Sequence, residues 1–190
     1  QLALGLTSRT LSGHSGDERL RLGIGQILFF RDRRVQLPGY PVETTASSPI
    51  ATEIAAPLGG HWSTMGTLFW DPHYGGRTES GAMAMRYQAP NQRIFNAGYL
   101  YNRGENTTGT NTRVEDTDVS LRWPLFGNTH MVGRWRYSLF YGETMDGFIG
   151  FEYDRCCWLL RGIYRHYVTD VSKEANDVVM LQLELKGLGP

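Results

Sequence analysis

The chain has 190 residues, and its 19 basic side chains balance 19 acidic ones, so the formal net charge is zero. This balance argues against a protein that binds nucleic acid or an anionic membrane surface, because such proteins concentrate positive charge to neutralise phosphates. Aromatic residues make up 12% of the chain and charged residues 20%, which is typical of an ordered protein. The 23 glycines favour a turn-rich all-β protein over a helical one.

No apolar run approaches the roughly 20 residues that a transmembrane helix needs, which excludes helical spans. This criterion does not exclude a membrane β-barrel, because hydropathy averaged over a window does not detect strands in which apolar and polar residues alternate. The chain begins QLALGLTSRT, without an initiator Met or the pattern of a signal peptide. We therefore expect Gln1 to lie inside a strand.

Apolar and polar residues alternate with a period of two almost from end to end, which predicts about eleven antiparallel strands of roughly 9 to 12 residues. The predicted strands lie near residues 1–10, 20–31, 49–58, 62–71, 78–89, 92–103, 117–126, 130–142, 145–155, 157–168 and 177–187. In the eighth strand the two alternating sets are Trp135, Tyr137, Leu139 and Tyr141 against Arg134, Arg136 and Ser138. Each strand thus has one apolar, often aromatic face and one polar or charged face.

The predicted strands are longer than those of most soluble sheets and match the length of membrane-barrel strands. Their connections also alternate in length, as in outer-membrane barrels, where short turns face the periplasm and longer loops face outward. Tight turns are predicted near Gly59, Ala89, Phe126 and 154–157, and longer polar loops at 33–48, 71–78, 103–116 and 168–177. The connections 11–19 and 142–145 break this alternation. Strand counting places turn 154–157 and the C-terminus on the short-turn, periplasmic side.

A soluble sandwich or a lipocalin-like barrel is the alternative, since strands alternate there as well. We favour the membrane barrel because the strands are long and because arginines lie opposite the Tyr/Trp face. A polar interior of that kind suits a water-filled lumen better than a packed core.

Six charged residues on neighbouring predicted strands are candidates for this lumen. They are Arg134, Arg136, Glu152, Asp154, Arg161 and Arg165. Opposite charges on paired strands contribute roughly 0.2–1 kcal/mol each, so one interpretation is a ladder of ion pairs that stabilises the wall. The other is a hydrophilic path for an anionic, sugar-bearing substrate.

We find no catalytic, metal-binding or cofactor-binding motif, so neither an enzyme nor a cofactor is predicted. The five histidines are scattered, with no spacing for zinc, and four of them lie at predicted loops or strand ends, where a surface position is expected. Pro57 and Pro124 fall within strand patterns, and each is expected to mark a strand end beside a tight turn.

The two cysteines of the chain, Cys156 and Cys157, are adjacent. A disulfide between neighbours is strained, because Cα atoms about 3.8 Å apart lie below the favoured disulfide range. Two buried free thiols are a second interpretation, although a periplasmic rim is oxidising. The third interpretation, favoured by an envelope location, is that each bonds to a cysteine elsewhere.

Several segments spread over the chain resemble the C-terminal part of the LptD family of lipopolysaccharide-assembly proteins. They are LGIGQILFFRDRRV (22–35), MRYQAPNQRIFNAGYLYNR (85–103), LRWPLFGNTHMVGRWRYSL (121–139), GFEYDRCCWLLR (150–161) and LQLELKGLG (181–189). The CCW segment followed by LELKGL is quite specific, whereas the aromatic strand segments alone are not.

The resemblance implies a transmembrane β-barrel of roughly two dozen strands in the bacterial outer membrane. Residues 1–190 would be an incomplete C-terminal portion of about eleven strands, without the N-terminal barrel half and the periplasmic jellyroll domain. It also implies four partners besides outer-membrane lipid: lipopolysaccharide, the plug lipoprotein LptE, a periplasmic bridge protein that contacts the jellyroll, and the barrel-assembly machinery.

The same resemblance implies roles for individual residues. Cys156 and Cys157 match the adjacent pair of the family, each of which is paired with a cysteine of the N-terminal portion. Residues 177–187 match the last strand, which forms one side of the seam through which lipid reaches the outer leaflet. The seam-strand candidates are Val179, Leu181, Leu183 and Leu185.

Three functions are thus distinguished at the level of the sequence. The resemblance implies lipopolysaccharide transport without bond chemistry. A passive porin-like channel is the alternative, against which the adjacent cysteines argue. An outer-membrane enzyme is the third, and it requires a Ser/His or paired-acid cluster that the sequence does not reveal.

Overall fold

The computed structural model describes residues 1–32, 44–73, 75–104, 113–168 and 175–187. Eleven antiparallel strands, hydrogen-bonded to their neighbours in chain order, form one sheet. The strands are β1 (Leu2–Leu11), β2 (Glu18–Leu28), β3 (Ile50–Gly59), β4 (Trp62–Asp71), β5 (Arg77–Gln88), β6 (Ile94–Asn102), β7 (Val114–Phe126), β8 (Thr129–Ser138), β9 (Glu143–Asp154), β10 (Trp158–Val168) and β11 (Ala175–Leu185). The prediction of an all-β fold with about eleven antiparallel strands is confirmed.

Among the described residues, β1 and β11 are the two edge strands and the sheet is not closed. An open sheet of this kind is consistent with part of a larger barrel. No helix in these residues is long and apolar enough to cross a membrane.

The prediction for the end of the eighth strand was wrong. β8 ends at Ser138, and residues 139–142 form the connection to β9, so Leu139 and Tyr141 do not continue the alternation. The Gly142 N–H bonds to the Ser138 carbonyl at 2.9 Å, and Gly142 has a φ of 69°, a conformation that glycine adopts without strain. The tight connection therefore lies at 139–142 rather than at 142–145.

Other connections agree with the prediction only in part. The connection between β4 and β5 spans residues 72–76 and is shorter than the predicted 71–78. The remaining long loops fall partly outside the described residues, at 33–43, 105–112 and 169–174.

The chain divides into two compact units, of which the first comprises Gln1–Met85 and Tyr99–Glu115. Within it β1 pairs with β2, β2 with β3, and β3 with β4. The turn between β3 and β4 is tight, and both Gly60 and His61 have positive φ, as a two-residue hairpin of this twist requires.

The second unit comprises Arg86–Gly98 and Asp116–Pro190, and it holds most of β7 and all of β8 to β11. Its strands pair in sequence, so residues opposite one another share a face of the sheet. One such row runs Pro124, His130, Glu152, Arg161 and Gln182.

Both prolines lie where the sequence placed them, near strand ends. Pro57 pairs with Ser63 and Pro124 with His130, and in each case the register shifts immediately afterwards, next to a tight turn. A proline cannot donate a ladder hydrogen bond, so a position beside a bulge avoids a lost bond within the ladder.

Candidate functional site

The strands of the second unit present two chemically different faces. The face that includes Glu152, which we call the polar face, carries charged side chains on every strand from β7 to β10. The opposite face, the apolar face, carries exposed side chains such as Trp135 (50% exposed) and Phe151 (58% exposed). Alternation along each strand produces this division, because successive side chains point to opposite sides.

Ion pairs link neighbouring strands across the polar face. Arg134 binds Asp118 at 2.6 Å and Arg136 binds Asp116 at 2.7 Å, both between β7 and β8. Arg165 of β10 binds Asp146 of β9 at 2.7 Å. Each arginine is thereby held by a carboxylate of a neighbouring strand.

Glu152 is the centre of this ladder. Its Oε1 accepts hydrogen bonds from Arg122 Nε and Nη2 at 2.9 and 2.7 Å, and its Oε2 accepts from Arg161 Nε and Nη2 at 3.1 and 2.6 Å. The side chain of Glu152 is only 3% exposed. Four charge-assisted bonds satisfy this buried carboxylate, which would otherwise be costly to remove from water.

The two arginines extend the network beyond Glu152. Arg122 of β7 reaches past β8 to Glu152 of β9, and its Nη1 also donates to Gln92 Oε1 at 2.8 Å. Arg161 donates to Gln182 Oε1 of β11 at 3.3 Å. The network therefore joins β7, β9, β10 and β11 with the turn before β6.

All six charged residues predicted from the sequence lie on the polar face, and each is ion-paired. Arg134, Arg136, Arg161 and Arg165 bind carboxylates, Glu152 binds two arginines, and Asp154 binds Lys186. The structure thus contains the ion-pair ladder. Whether this face lines a lumen stays a prediction.

Two members of this site were missed at the sequence level. Arg122 was not singled out because its partner lies two strands away, a relation that alternation alone does not reveal. His130 was treated as one of the scattered histidines of strand ends, for which a surface position was expected. The residue is instead buried, at 6% exposed, and it lies directly opposite Glu152 in the register of β8 and β9.

The cysteine turn, residues 154–157, lies between β9 and β10 at the same end of the sheet as the C-terminal end of β11. Both thiols are free and exposed, and their Sγ atoms are 2.7 Å apart. The hydrogen bond with Cys156 is the main cause that raises the pKa of the Cys157 thiol, while the Lys186 ammonium acts in the opposite direction. In the part of the protein that the structure describes, both thiols are thus exposed rather than buried.

β11 is the edge strand at the C-terminal side, and among the described residues it pairs with β10 alone. Its four seam candidates share the apolar face. They are Val179 (82% exposed), Leu181 (77%), Leu183 (61%) and Leu185 (55%). These side chains form a continuous apolar stripe, whereas their role at a seam stays a prediction.

A polar cluster in the first unit also brings together residues that the sequence left apart. His73 Nδ1 lies 2.7 Å from Asp71 Oδ1, and His73 Nε2 lies 3.4 Å from Ser47 Oγ. The Ser–His distance is long for a nucleophile and its base. Gln26 Nε2 donates to Ser47 Oγ at 3.2 Å, so the cluster ties the segment before β3 to β2 and to the end of β4.

Within the described ranges, no group of three or more His, Cys, Asp or Glu side chains could hold a metal ion. The charged side chains of the polar face are arranged to bind one another. The sheet therefore has one polar surface, on which the charges are paired with one another, and one apolar surface.

Long antiparallel strands with one polar and one apolar face are typical of the class of outer-membrane β-barrel proteins. A family model described as LptD, LPS transport system D, matches residues 1–129. An LPS-assembly protein LptD of Nitrosococcus oceani is 41% identical over 189 residues, which cover 100% of this chain and 24% of the relative. The proteins of the same name from Pseudomonas aeruginosa and Legionella pneumophila are 34% and 30% identical, and the chain covers 24% and 25% of their lengths.

The chain therefore belongs to the LptD family, as its sequence segments suggested. It spans about a quarter of the length of the curated relatives that it matches. The names of the family and of these relatives describe transport and assembly of lipopolysaccharide rather than a catalysed reaction.

Proposed function

We propose that the chain forms the C-terminal wall of an outer-membrane barrel that delivers lipopolysaccharide to the outer leaflet. The observation that carries this proposal is the membership of the LptD family, whose curated members are named LPS-assembly proteins. Residues 1–190 belong entirely to the barrel domain in this proposal. The N-terminal barrel half and a periplasmic jellyroll complete the protein.

The two faces of the sheet are assigned to two environments. The apolar face contacts lipid, because exposed side chains such as Phe151 and Leu181 match the hydrocarbon region. The polar face lines the lumen, where water and saccharide contact its charged groups. The cysteine turn and the end of β11 lie on the periplasmic side, in keeping with the short turns found there in outer-membrane barrels.

Lipopolysaccharide is an amphiphile, and this division of faces suits its two parts. Acyl chains move along the apolar surface while the charged saccharide moves through the polar interior and the seam. β11 forms one side of that seam, a role supported by its position at the edge of the sheet that the described residues form and by its apolar stripe. No covalent chemistry is required of the chain, since transport only relocates the lipid.

Further partners follow from the family assignment. The lipoprotein LptE plugs the barrel, the jellyroll receives lipopolysaccharide from a periplasmic bridge protein, and the barrel-assembly machinery inserts the strands. Cys156 and Cys157 each form a disulfide with a cysteine of the N-terminal portion, which ties the jellyroll to the barrel. The exposure of both thiols supports this role, because disulfide exchange requires access.

The disulfide proposal is tested by replacing Cys156 and Cys157 with Ser in the full-length protein. We expect the slow-migrating oxidised form to disappear from non-reducing gels and surface lipopolysaccharide to fall. Arg155→Ser, which changes the same turn but keeps both thiols, is the matched control and should retain the oxidised form. An unchanged gel pattern in the double Cys variant contradicts the proposed disulfides.

A further inference from the structure

Lys186 directly follows β11 and bonds to the cysteine turn at three points. Its backbone N–H donates to the Cys157 carbonyl at 2.8 Å. Its Nζ donates to the Arg155 carbonyl at 3.2 Å and forms a short ion pair with the Asp154 carboxylate. One residue at the end of the last strand thus contacts three of the four residues of this turn.

The opposite side of the cysteine turn is held by the turn between β7 and β8. Asp154 N–H donates to the Asn128 carbonyl at 3.0 Å, and Asn128 Nδ2 donates to the Asp154 carbonyl at 2.7 Å. Arg155 N–H also donates to the carbonyl of Trp158, the first residue of β10, at 2.9 Å. The backbone is therefore fixed from both sides, whereas the two thiols stay exposed.

We propose that Lys186 is a positioning residue for the cysteine pair: its contacts hold the cysteine turn against the end of β11, and they place its ammonium beside that turn. This inference rests on the proposed disulfide role of the pair, and it assigns part of that role to the last strand. The lysine contributes both a mechanical tie and a positive charge.

The positive charge matters because the thiolate is the nucleophile in disulfide exchange. The Cys157 thiolate attacks one sulfur of an oxidised dithiol oxidoreductase, whose other sulfur leaves as a thiolate. A second thiolate of the protein then displaces the oxidoreductase sulfur. The protein loses two electrons and gains one disulfide, while the oxidoreductase is reduced to its dithiol.

Charged and titratable groups from several strands lie in or near the cysteine turn. Asp154, Arg155 and Cys156 belong to the turn, Lys186 binds Asp154, Arg122 Nη2 lies 3.8 Å from Asp154, and Tyr153 accepts a hydrogen bond from Arg155. His130 lies opposite Glu152 in the ladder, and Glu184 lies opposite Leu159. The hydrogen bond with Cys156 raises the pKa of the Cys157 thiol, and the Lys186 ammonium opposes that increase. The Asp154 carboxylate is the direct partner of this ammonium.

The charge role and the mechanical role predict different results for two matched substitutions. Lys186→Gln removes the ammonium and should raise the pH at which Cys157 becomes reactive. Asp154→Asn removes the opposing carboxylate and should lower that pH. Both changes break the same ion pair, so a mechanical role alone would affect reactivity in the same direction.

The measurement is the rate at which Cys157 reacts with N-ethylmaleimide as a function of pH. The thiolate sulfur adds to the maleimide double bond, and the neighbouring carbon takes a proton from water. The reduced, full-length, membrane-inserted protein is used in a Cys156→Ser background, and the labelled peptide that contains Cys157 is quantified by mass spectrometry. The assay is independent of disulfide formation, so it can fail while the gel test of the double Cys variant succeeds, or the reverse.

At neutral pH we expect Lys186→Gln to slow labelling about two- to fivefold and Asp154→Asn to accelerate it by a similar factor, as suits a single charge near a solvent-exposed thiol. Lys186→Arg keeps the charge and should stay within twofold of the wild-type rate, about the scatter of weak surface pairs. Profiles that shift in the same direction in both variants, or that do not shift, overturn the proposal. If Lys186→Gln fails to assemble, the test rests on Asp154→Asn alone. The role of the charge is then refuted if the pH at which Cys157 becomes reactive is unchanged or higher in this variant.

Discussion

Replacing Glu152 with Gln should destabilise the sheet more than any other neutralisation of a carboxylate on the polar face. The carboxylate is 3% exposed and accepts four hydrogen bonds from Arg122 and Arg161. An amide keeps one oxygen acceptor but turns an NH₂ group toward the donors of the other arginine, so two of the four bonds are lost. The two arginines also lose their shared counter-ion.

The expected magnitude follows from the burial of each group. Hydrogen bonds to charged groups contribute about 1.5–3 kcal/mol each, so the loss of two gives about 3–6 kcal/mol. Breaking a buried ion pair by removing one partner costs about 3–5 kcal/mol, a similar range. Arg122 and Arg161 are 22% and 29% exposed and keep part of their hydration, which places the expected loss near the lower end, about 3 kcal/mol.

Asp118→Asn is the matched control, because Asp118, like Glu152, is a carboxylate of the polar face that binds an arginine. Asp118 binds Arg134 through Oδ2 alone. In this pair Arg134 is 44% exposed and Asp118 is 35% exposed, so the expected loss is about 0–1 kcal/mol. The assay is urea unfolding of the membrane-inserted full-length protein, with the midpoint compared at an unchanged m-value. A loss for Glu152→Gln no larger than that for Asp118→Asn would refute the argument that burial of Glu152 determines its contribution.

Two further predictions concern strand pairing and the membrane face. Gly150→Ala should disrupt assembly, because a Cβ there would collide with the Gly162 carbonyl oxygen and lie 3.0 Å from the Ile163 Cα. A Cβ at Gly162 meets no atom within 4 Å, so the control variant Gly162→Ala should assemble normally. Heat-modifiable migration on gels reports assembly, and equal yields of the two variants would contradict the prediction. Leu181→Arg, on the proposed lipid face, should cost about 2–4 kcal/mol of stability in the membrane. Met180→Arg on the polar face should cost markedly less, and comparable losses in urea unfolding would mean that the faces are assigned wrongly.

The sequence predicted the strands well because a period of two is a local signal. Each strand alternates over its own length, so all eleven were placed without knowledge of their partners. The end of β8 was misplaced for the same reason. In the sequence, Leu139 and Tyr141 keep the spacing of two set by Trp135 and Tyr137. In the structure, the hydrogen bond from the Gly142 N–H to the Ser138 carbonyl closes a turn there, so the strand does not continue.

The site was predictable only as far as it depends on single strands. The face of Arg161 or Glu152 follows from alternation, and both were identified. The burial of His130 and the reach of Arg122 across β8 depend on the register of three strands, which alternation does not specify. The contacts of Lys186 with the cysteine turn likewise require the pairing of β10 with β11.

The ion-pair ladder has a consequence for how the polar face acts at a distance. Six cations from Arg122 to Lys186 each lie within 4 Å of a carboxylate, and five carboxylates serve them. The fields of opposite charges this close largely cancel each other at a distance from the pair. Salt screens the remaining field over roughly a Debye length, about 8 Å at physiological ionic strength. A wall of this kind is hydrophilic yet nearly neutral. In the proposed role as a lumen lining, it would offer a charged sugar short hydrogen-bonding contacts without a strong field that would either repel the sugar or hold it in place.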